Sequence, residues 1–133
     1  VLCFDGEIRQ VLNNLIGNAT DAMQKQTTSR RLLIRTRDAC DWRTGRKGLL
    51  FTVADTGTGM STQTVKKAFE AFYTTKGTGG TGLGLWVSKE IVERHHGRLM
   101  LRSSQRERGS GTVFRLFLPY DAVDRAKEAA QLS

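Results

Sequence analysis

Apolar residues at Ile8, Val11, Leu12, Leu15, Ile16, Ala19, Ala22 and Met23 recur at helical spacing. They predict an amphipathic helix near the start of the chain, with Asp5 placed to cap it. A second line on the same helix, Asn14, Asn18 and Asp21, follows i, i+4, i+7 and sets two amides and a carboxylate side by side. Asparagine is a poor helix former because its side chain competes for backbone hydrogen bonds, so two of them in mid-helix need a reason other than propensity.

The runs Arg31–Thr36 and Leu49–Ala54 read as strands, joined through a polar stretch, Thr44–Gly48, with hairpin turn chemistry. The second strand delivers Asp55 and a glycine cluster at its end. Ser61 then caps a short helix carrying Val65, Ala68, Phe69 and Phe72 on one side, where the aromatics point to packing. Tyr73–Gly82 is rich in threonine and glycine and reads as a mobile loop. A further helix is predicted from Gly84 to His96, with Leu85, Val87, Ile91 and Val92 as its apolar contacts and Gly97 at its C-cap. Arg98–Ser103 and Gly111–Leu118 form a second strand pair across the turn Arg106–Gly111, and Asp121 can cap a terminal segment, Ala122–Leu132. The expected organisation is one domain over residues 1–120, followed by a helix or connector over 121–133.

A length of 133 residues suits a single core. No apolar run approaches a membrane helix, so no direct membrane contact is expected. Cys3 and Cys40 are too scattered for a disulfide framework or a paired-cysteine metal site, which favours reduced thiols and a cytoplasmic setting. The formal net charge of +8 is concentrated around the first strand pair, at Arg30, Arg31, Arg35, Arg37, Arg43, Arg46 and Lys47. Without interleaved aromatics or a reader helix, that cluster describes a solvated basic face that attracts polyphosphate, and not a nucleic-acid partner.

Chemistry concentrates in four ordered segments: NNLIGNATDA, DTGTGM at Asp55–Met60, EAFYTTK at Glu70–Lys76 and GGTGLGL at Gly79–Leu85. Glycines let a backbone approach a ligand, and exposed amides at a helix start cradle anions. The two histidines before Gly97, His95 and His96, stand at a helix end, where imidazoles face solvent or meet terminal carbonyls. The second glycine cluster follows a loop, which sets it apart from the strand-led fingerprint of dinucleotide folds.

In this order the segments resemble the asparagine box, first glycine box, phenylalanine box and second glycine box of sensor histidine kinases, over about residues 7–119. The resemblance implies a Bergerat-type α/β two-layer sandwich: a mixed, mostly antiparallel sheet with helices on one face and ATP held between them. It implies a magnesium ligand in Asn18, supported by Asn14, and catalytic roles for Asn14 and Lys76. Nucleotide contacts are implied for Asn14, Asn18, Asp21, Asp55, Gly57, Gly59, Met60, Phe72, Tyr73, Thr74, Thr75, Lys76, Gly80, Thr81, Gly82, Leu83, Gly84, Leu85 and Thr112. The chemistry agrees with these assignments. A neutral amide oxygen together with triphosphate oxygens suits Mg2+, a carboxylate at Asp55 accepts from the adenine amine, and a Lys76 ammonium neutralises phosphate.

The family's acceptor histidine and general base lie on an upstream dimerisation domain that these residues do not include, so the chain is expected to bind ATP without phosphorylating itself. A response regulator receiver domain is the implied further partner. Two other ATP-using readings stand beside this one. They are a serine kinase of the anti-sigma-factor type and a clamp ATPase of the gyrase or MutL type, in which a glutamate normally takes the place held here by Asn14.

Overall fold

The first helix, α1 (Asp5–Met23), buries Ile8, Val11, Leu15, Ala19 and Met23, the three- and four-residue steps of one face. The computed structural model describes residues 4–24, 30–73 and 83–122. Asp5 does not cap α1. The N-cap is Phe4, in extended backbone and without a side-chain cap bond. Asp5 is the first helical residue, where its charge faces the positive end of the helix dipole and pairs with Arg9 at 2.9 Å.

Strands β1 (Leu32–Asp41) and β2 (Arg46–Asp55) run longer than their apolar stretches, because ladder hydrogen bonds come from the backbone and carry polar residues as readily. Their turn closes with the Gly45 amide donating to the Asp41 carbonyl at 2.7 Å. Strands β3 (Arg98–Ser104) and β4 (Gly111–Pro119) complete a sheet of order β1-β2-β4-β3, antiparallel at each of these pairings. As an inner strand, β4 buries Phe114, Leu116, Phe117 and Leu118 in near-continuous sequence.

One face of the sheet carries the helices. Val53, Phe114, Leu116 and Leu118 meet Val11, Leu15 and Ala19 of α1 and Ile91 and Val92 of α3 (Gly84–Arg94) in a single core. This is a two-layer α/β sandwich. The short α2 (Thr62–Lys67) starts where Ser61 Oγ accepts from the Thr64 amide at 3.1 Å. Beyond its end Ala68 is buried and Phe69 packs against the core, whereas Phe72 is 76% exposed with φ 67°. Phe72 therefore does not share the packing expected of the aromatic segment.

At its C-terminus α3 ends in a Schellman motif, in which the Gly97 amide donates to Val92 O at 2.9 Å and the His96 amide to Glu93 O at 3.0 Å. The left-handed position belongs to exposed His96, at φ 60°, and not to Gly97. His95 is 1% exposed. Its Nδ1 lies 2.7 Å from Ile91 O, so that nitrogen carries the proton, and Nε2 accepts from the Phe4 amide at 3.1 Å. The Phe4 ring sits edge-on to the imidazole. The start of α1 is thus pinned to the end of α3. Replacing His95 with alanine removes a buried ring and both bonds, and should cost about 2–4 kcal/mol in urea unfolding. His96→Gly should cost nothing, since it frees a left-handed residue of its side chain. Equal stabilities for the two variants would contradict the pin.

Candidate nucleotide site

Asn14 reaches from α1 to the beginning of α3, donating through Nδ2 to Gly84 O at 3.3 Å and to Ser88 Oγ at 3.1 Å. Both amide protons are engaged inside the protein, which leaves Oδ1 as the atom an outside ligand can use. The contact also explains why Ser88 is fully buried on an otherwise apolar helix face. Leu83, the N-cap of α3, makes no side-chain cap bond, and the first turn holds no acidic residue. The first-turn N–H groups and the positive end of the helix dipole therefore lie beside Asn14, an arrangement that accepts an anion. Asn18 lies one turn further along α1, half-buried, and Asp21 is exposed nearer its end.

The opposite end of α1 meets the first glycine cluster. The Thr58 amide donates to Ala22 O at 3.2 Å. A side chain on Gly57 would stand 2.6 Å from Ala22 O, and one on Gly59, already at φ +73°, would stand 2.0 Å from Ser104 O. Both glycines are thus required by the close approach of the protein's own backbone. From Asn14 to Ala22 the helix rises about 12 Å, a spacing that separates two differently built ends of one site.

Asp55 supplies the second end. This last residue of β2 is buried, and its Oδ1 accepts from the Gly57 amide at 2.8 Å. Burial raises the pKa of its carboxyl above the ordinary value, while the amides of Gly57 and Thr112 pull the other way. A buried carboxylate that keeps lone pairs beyond these two amides is a strong acceptor for a further N–H. Thr112, buried on β4 opposite Asp55, is linked to Ser103, whose Oγ donates to Gly111 O at 3.0 Å, accepts from the Met60 amide at 2.7 Å and lies 2.8 Å from Thr112 Oγ1. Since the single Ser103 proton goes to Gly111, Thr112 is the donor in that pair.

The fold therefore gathers the expected residues in two groups, Asn14 with Gly84 and Asp55 with Gly57, Thr112 and Met60. Phe72 points away from packing, and the Tyr73 hydroxyl lies 3.4 Å from Thr64 Oγ1. Thr74, Thr75, Lys76, Gly80, Thr81 and Gly82, with most of the expected mobile loop and of the terminal segment, lie outside the described residues. Ser88, Ser103 and Ser110, whose Oγ donates to Gly57 O at 2.9 Å, have structural parts that no sequence motif marks. A groove of about 700 Å³ lies past Met60, lined by Ser61, Ser103 and Arg106 among others, and includes neither Asn14 nor Asp55.

An anion-accepting helix start at one end and a buried carboxylate acceptor at the other, on a helix-covered sheet, define a nucleotide-binding α/β sandwich. Residues 5–122 match the family described as histidine kinase-, DNA gyrase B- and HSP90-like ATPases. The chain belongs to this family, as an ATP-binding catalytic domain of the sensor histidine kinase kind. It is 37% identical over 119 residues to sporulation kinase E of Bacillus subtilis, covering 90% of this chain and 14% of that protein. It is also 37% identical over 113 residues to the sensor protein FixL of Bradyrhizobium diazoefficiens, covering 85% of this chain and 20% of that one. The chain thus spans a small part of the length of these relatives.

Among solved structures, a catalytic domain of histidine kinase ThkA aligns with TM-score 0.69 and 30% identity, over 88% of this chain and 68% of that one. Full-length ShkA in complex with AMPPNP aligns with TM-score 0.65 and 31% identity, over 86% of this chain and 22% of that one. The mycobacterial sensor histidine kinase MprB, at TM-score 0.72 and 22% identity over 90% of this chain and 76% of that one, shares the fold.

Proposed function

We propose that this domain holds Mg·ATP with its adenine against Asp55 and its phosphates at the start of α3, and presents the γ-phosphate to a histidine on a separate dimerisation domain of the parent protein. The observation that carries this reading is the Asn14 bridge to Gly84 and Ser88, which fixes an amide oxygen beside the first turn of α3, a turn without an acidic residue. Asn18 is the proposed magnesium ligand, with Asn14 supporting it. Among the described residues no cluster of histidine, cysteine, aspartate or glutamate is arranged to hold a metal. With an amide as its protein ligand the ion would otherwise rest on water and phosphate oxygens, which Mg2+ accepts. Lys76, outside the described residues, is proposed to neutralise the transferring phosphate.

Catalysis in this reading is positioning plus charge neutralisation, since phosphoryl transfer asks for little covalent help from the protein. The phosphorylated histidine would then serve a response regulator receiver domain. A complex of that related kinase, ShkA, with AMPPNP supports an adenine nucleotide as ligand. The proposed location is cytoplasmic; among the described residues no helix is long and apolar enough to cross a membrane.

The test is reconstitution. The chain should bind ATP and leave His95 and His96 unphosphorylated, His95 because it is buried with both ring nitrogens engaged. Adding the parent's phosphoacceptor domain as a separate chain should yield acid-labile, base-stable phosphate on that domain. Acid-stable phosphoserine would establish the serine-kinase reading instead, and rapid ATP turnover without any acceptor would establish the clamp reading.

A further inference from the structure

The face of the sheet turned away from α1 and α3 carries six arginines, five of them exposed, around a buried centre at Leu50 and Phe117. Phe51 and Val53, with their β4 partners Leu116 and Phe114, point to the helices. The alternate positions therefore point the other way. The register then places on that face Arg35 and Arg37 of β1, Arg46 of β2, Arg115 of β4, and Arg98 and Arg102 of β3. One cross-strand row reads Arg35, Thr52, Arg115, Met100, and the next reads Arg37, Leu50, Phe117, Arg98. All of these arginines except half-buried Arg98 are exposed. The strands place no lysine on this face, and its one carboxylate, Asp41 at the hairpin end, lies 3.9 Å from Arg43. Among the described residues none of the six arginines forms an ion pair.

Like charges held this close repel one another, so the arrangement costs the fold something that nothing inside the described chain offsets. Its chemistry asks for carboxylates from outside. The exclusive use of arginine favours a protein partner, because guanidinium pairs bidentately with carboxylate and protein interfaces are enriched in arginine and depleted in lysine. Single-stranded nucleic acid would need exposed aromatics for stacking, and the one aromatic on this face, Phe117, is 5% exposed. Duplex DNA is read by an element that enters a groove, which a flat sheet face does not supply. Trp42, 85% exposed, stands in the β1–β2 turn, beyond the strand positions that carry these arginines.

The dimensions fit one helix. Four strands span about 14 Å between the outer pair, against a helix diameter of about 10 Å. Arg35 and Arg37 stand about 7 Å apart along β1, close to the i, i+4 rise of about 6 Å on a helix. Arg35 and Arg115, two strands apart, are separated by about 10 Å at right angles to that line, so they flank a helix laid along β2 rather than follow its axis.

We propose that the exposed arginines of this face form a docking surface for a carboxylate-rich helix of a partner protein. A fluorescein-labelled helical peptide with glutamates at i, i+4 and i+7 is the probe, read by anisotropy over a salt series. Micromolar binding that weakens with salt is expected. The triple variant Arg35→Glu, Arg37→Glu, Arg115→Glu should weaken it by at least about tenfold, while ADP binding, which uses the other face, stays intact and reports folding. A second triple variant, Arg9→Glu, Lys66→Glu, Lys67→Glu, makes the same charge change elsewhere and should retain the peptide. Equal loss in both triples would reduce the effect to net charge and overturn the proposal. It would fall equally if the peptide did not bind, or if a short DNA duplex or vesicles of equal phosphatidylserine and phosphatidylcholine bound more tightly. None of these outcomes bears on ATP binding, which the ADP titration follows separately.

Discussion

Replacing Asp55 with asparagine should lower adenine-nucleotide affinity by about 10- to 100-fold while leaving the fold as stable as before or more so. The two effects have one source. The carboxyl is buried at the end of β2 and its pKa is raised, chiefly by that burial, against the opposing pull of the Gly57 and Thr112 amides. Between the ordinary carboxylate value and the raised folded value, the folded chain binds more protons than the unfolded chain. Asp55 therefore contributes stability in acid that is lost as pH rises through the folded pKa. At neutral pH the ionised group is a cost that asparagine does not carry.

For the ligand the sign is reversed. The adenine amine needs the ionised acceptor, so affinity should fall as pH drops through the raised pKa, before the ordinary carboxylate range is reached. Adenosine is the right ligand for that titration, because ATP phosphates titrate in the same region. The Asp55→Asn profile should be flat, and its preference for adenine over guanine should shrink, since an amide can donate to the guanine carbonyl. A wild-type adenosine affinity that is constant with pH, or an asparagine variant with undiminished binding, would remove Asp55 from base recognition.

Much of this arrangement was legible in the sequence, where period and motif coincide. The α1 stripe, the second strand ending on Asp55 and the Ser61 cap each rest on a local rule, and the structure has them where the rule puts them. Local rules fail where distant chain decides. Asp5 looks like a cap, yet the chain enters α1 through Phe4, whose amide is held by His95 from the far end of α3. Nothing beside His95 in the sequence distinguishes it from exposed His96. The two glycines of the first cluster read as room for a ligand, whereas their tight neighbours are Ala22 and Ser104 of the chain itself. Ser103 lies outside every motif, and its three hydrogen bonds exist only because β3 pairs with β4 beside the Met60 turn. The basic charge was legible as a cluster on the first hairpin. Its extension to Arg98, Arg102 and Arg115 needed the register.

The Asn14→Asp variant should weaken ATP by about 100-fold and leave adenosine nearly unchanged. Asparagine donates to Gly84 O at 3.3 Å and to Ser88 Oγ at 3.1 Å, and a carboxylate can take only the Ser88 hydroxyl as a partner. The Gly84 carbonyl would then face an oxygen. The new charge would also occupy the positive end of α3, where the phosphates are proposed to bind, and a like charge about 4 Å from a phosphate is worth several kcal/mol at the effective dielectric of a protein surface. Adenosine carries no phosphate, and its proposed contacts lie at Asp55, next to the Gly57–Thr58 turn that meets Ala22 about 12 Å along α1 from Asn14. Ser88→Ala separates the two causes, since it removes one Asn14 bond without adding charge and should cost ATP about tenfold or less. Calorimetric titration of both ligands against both variants gives the ratio directly. If Asn14→Asp weakened adenosine and ATP equally, the effect would be a displaced α3 rather than a lost phosphate site, and the assignment of the two ends would have to be reversed or abandoned.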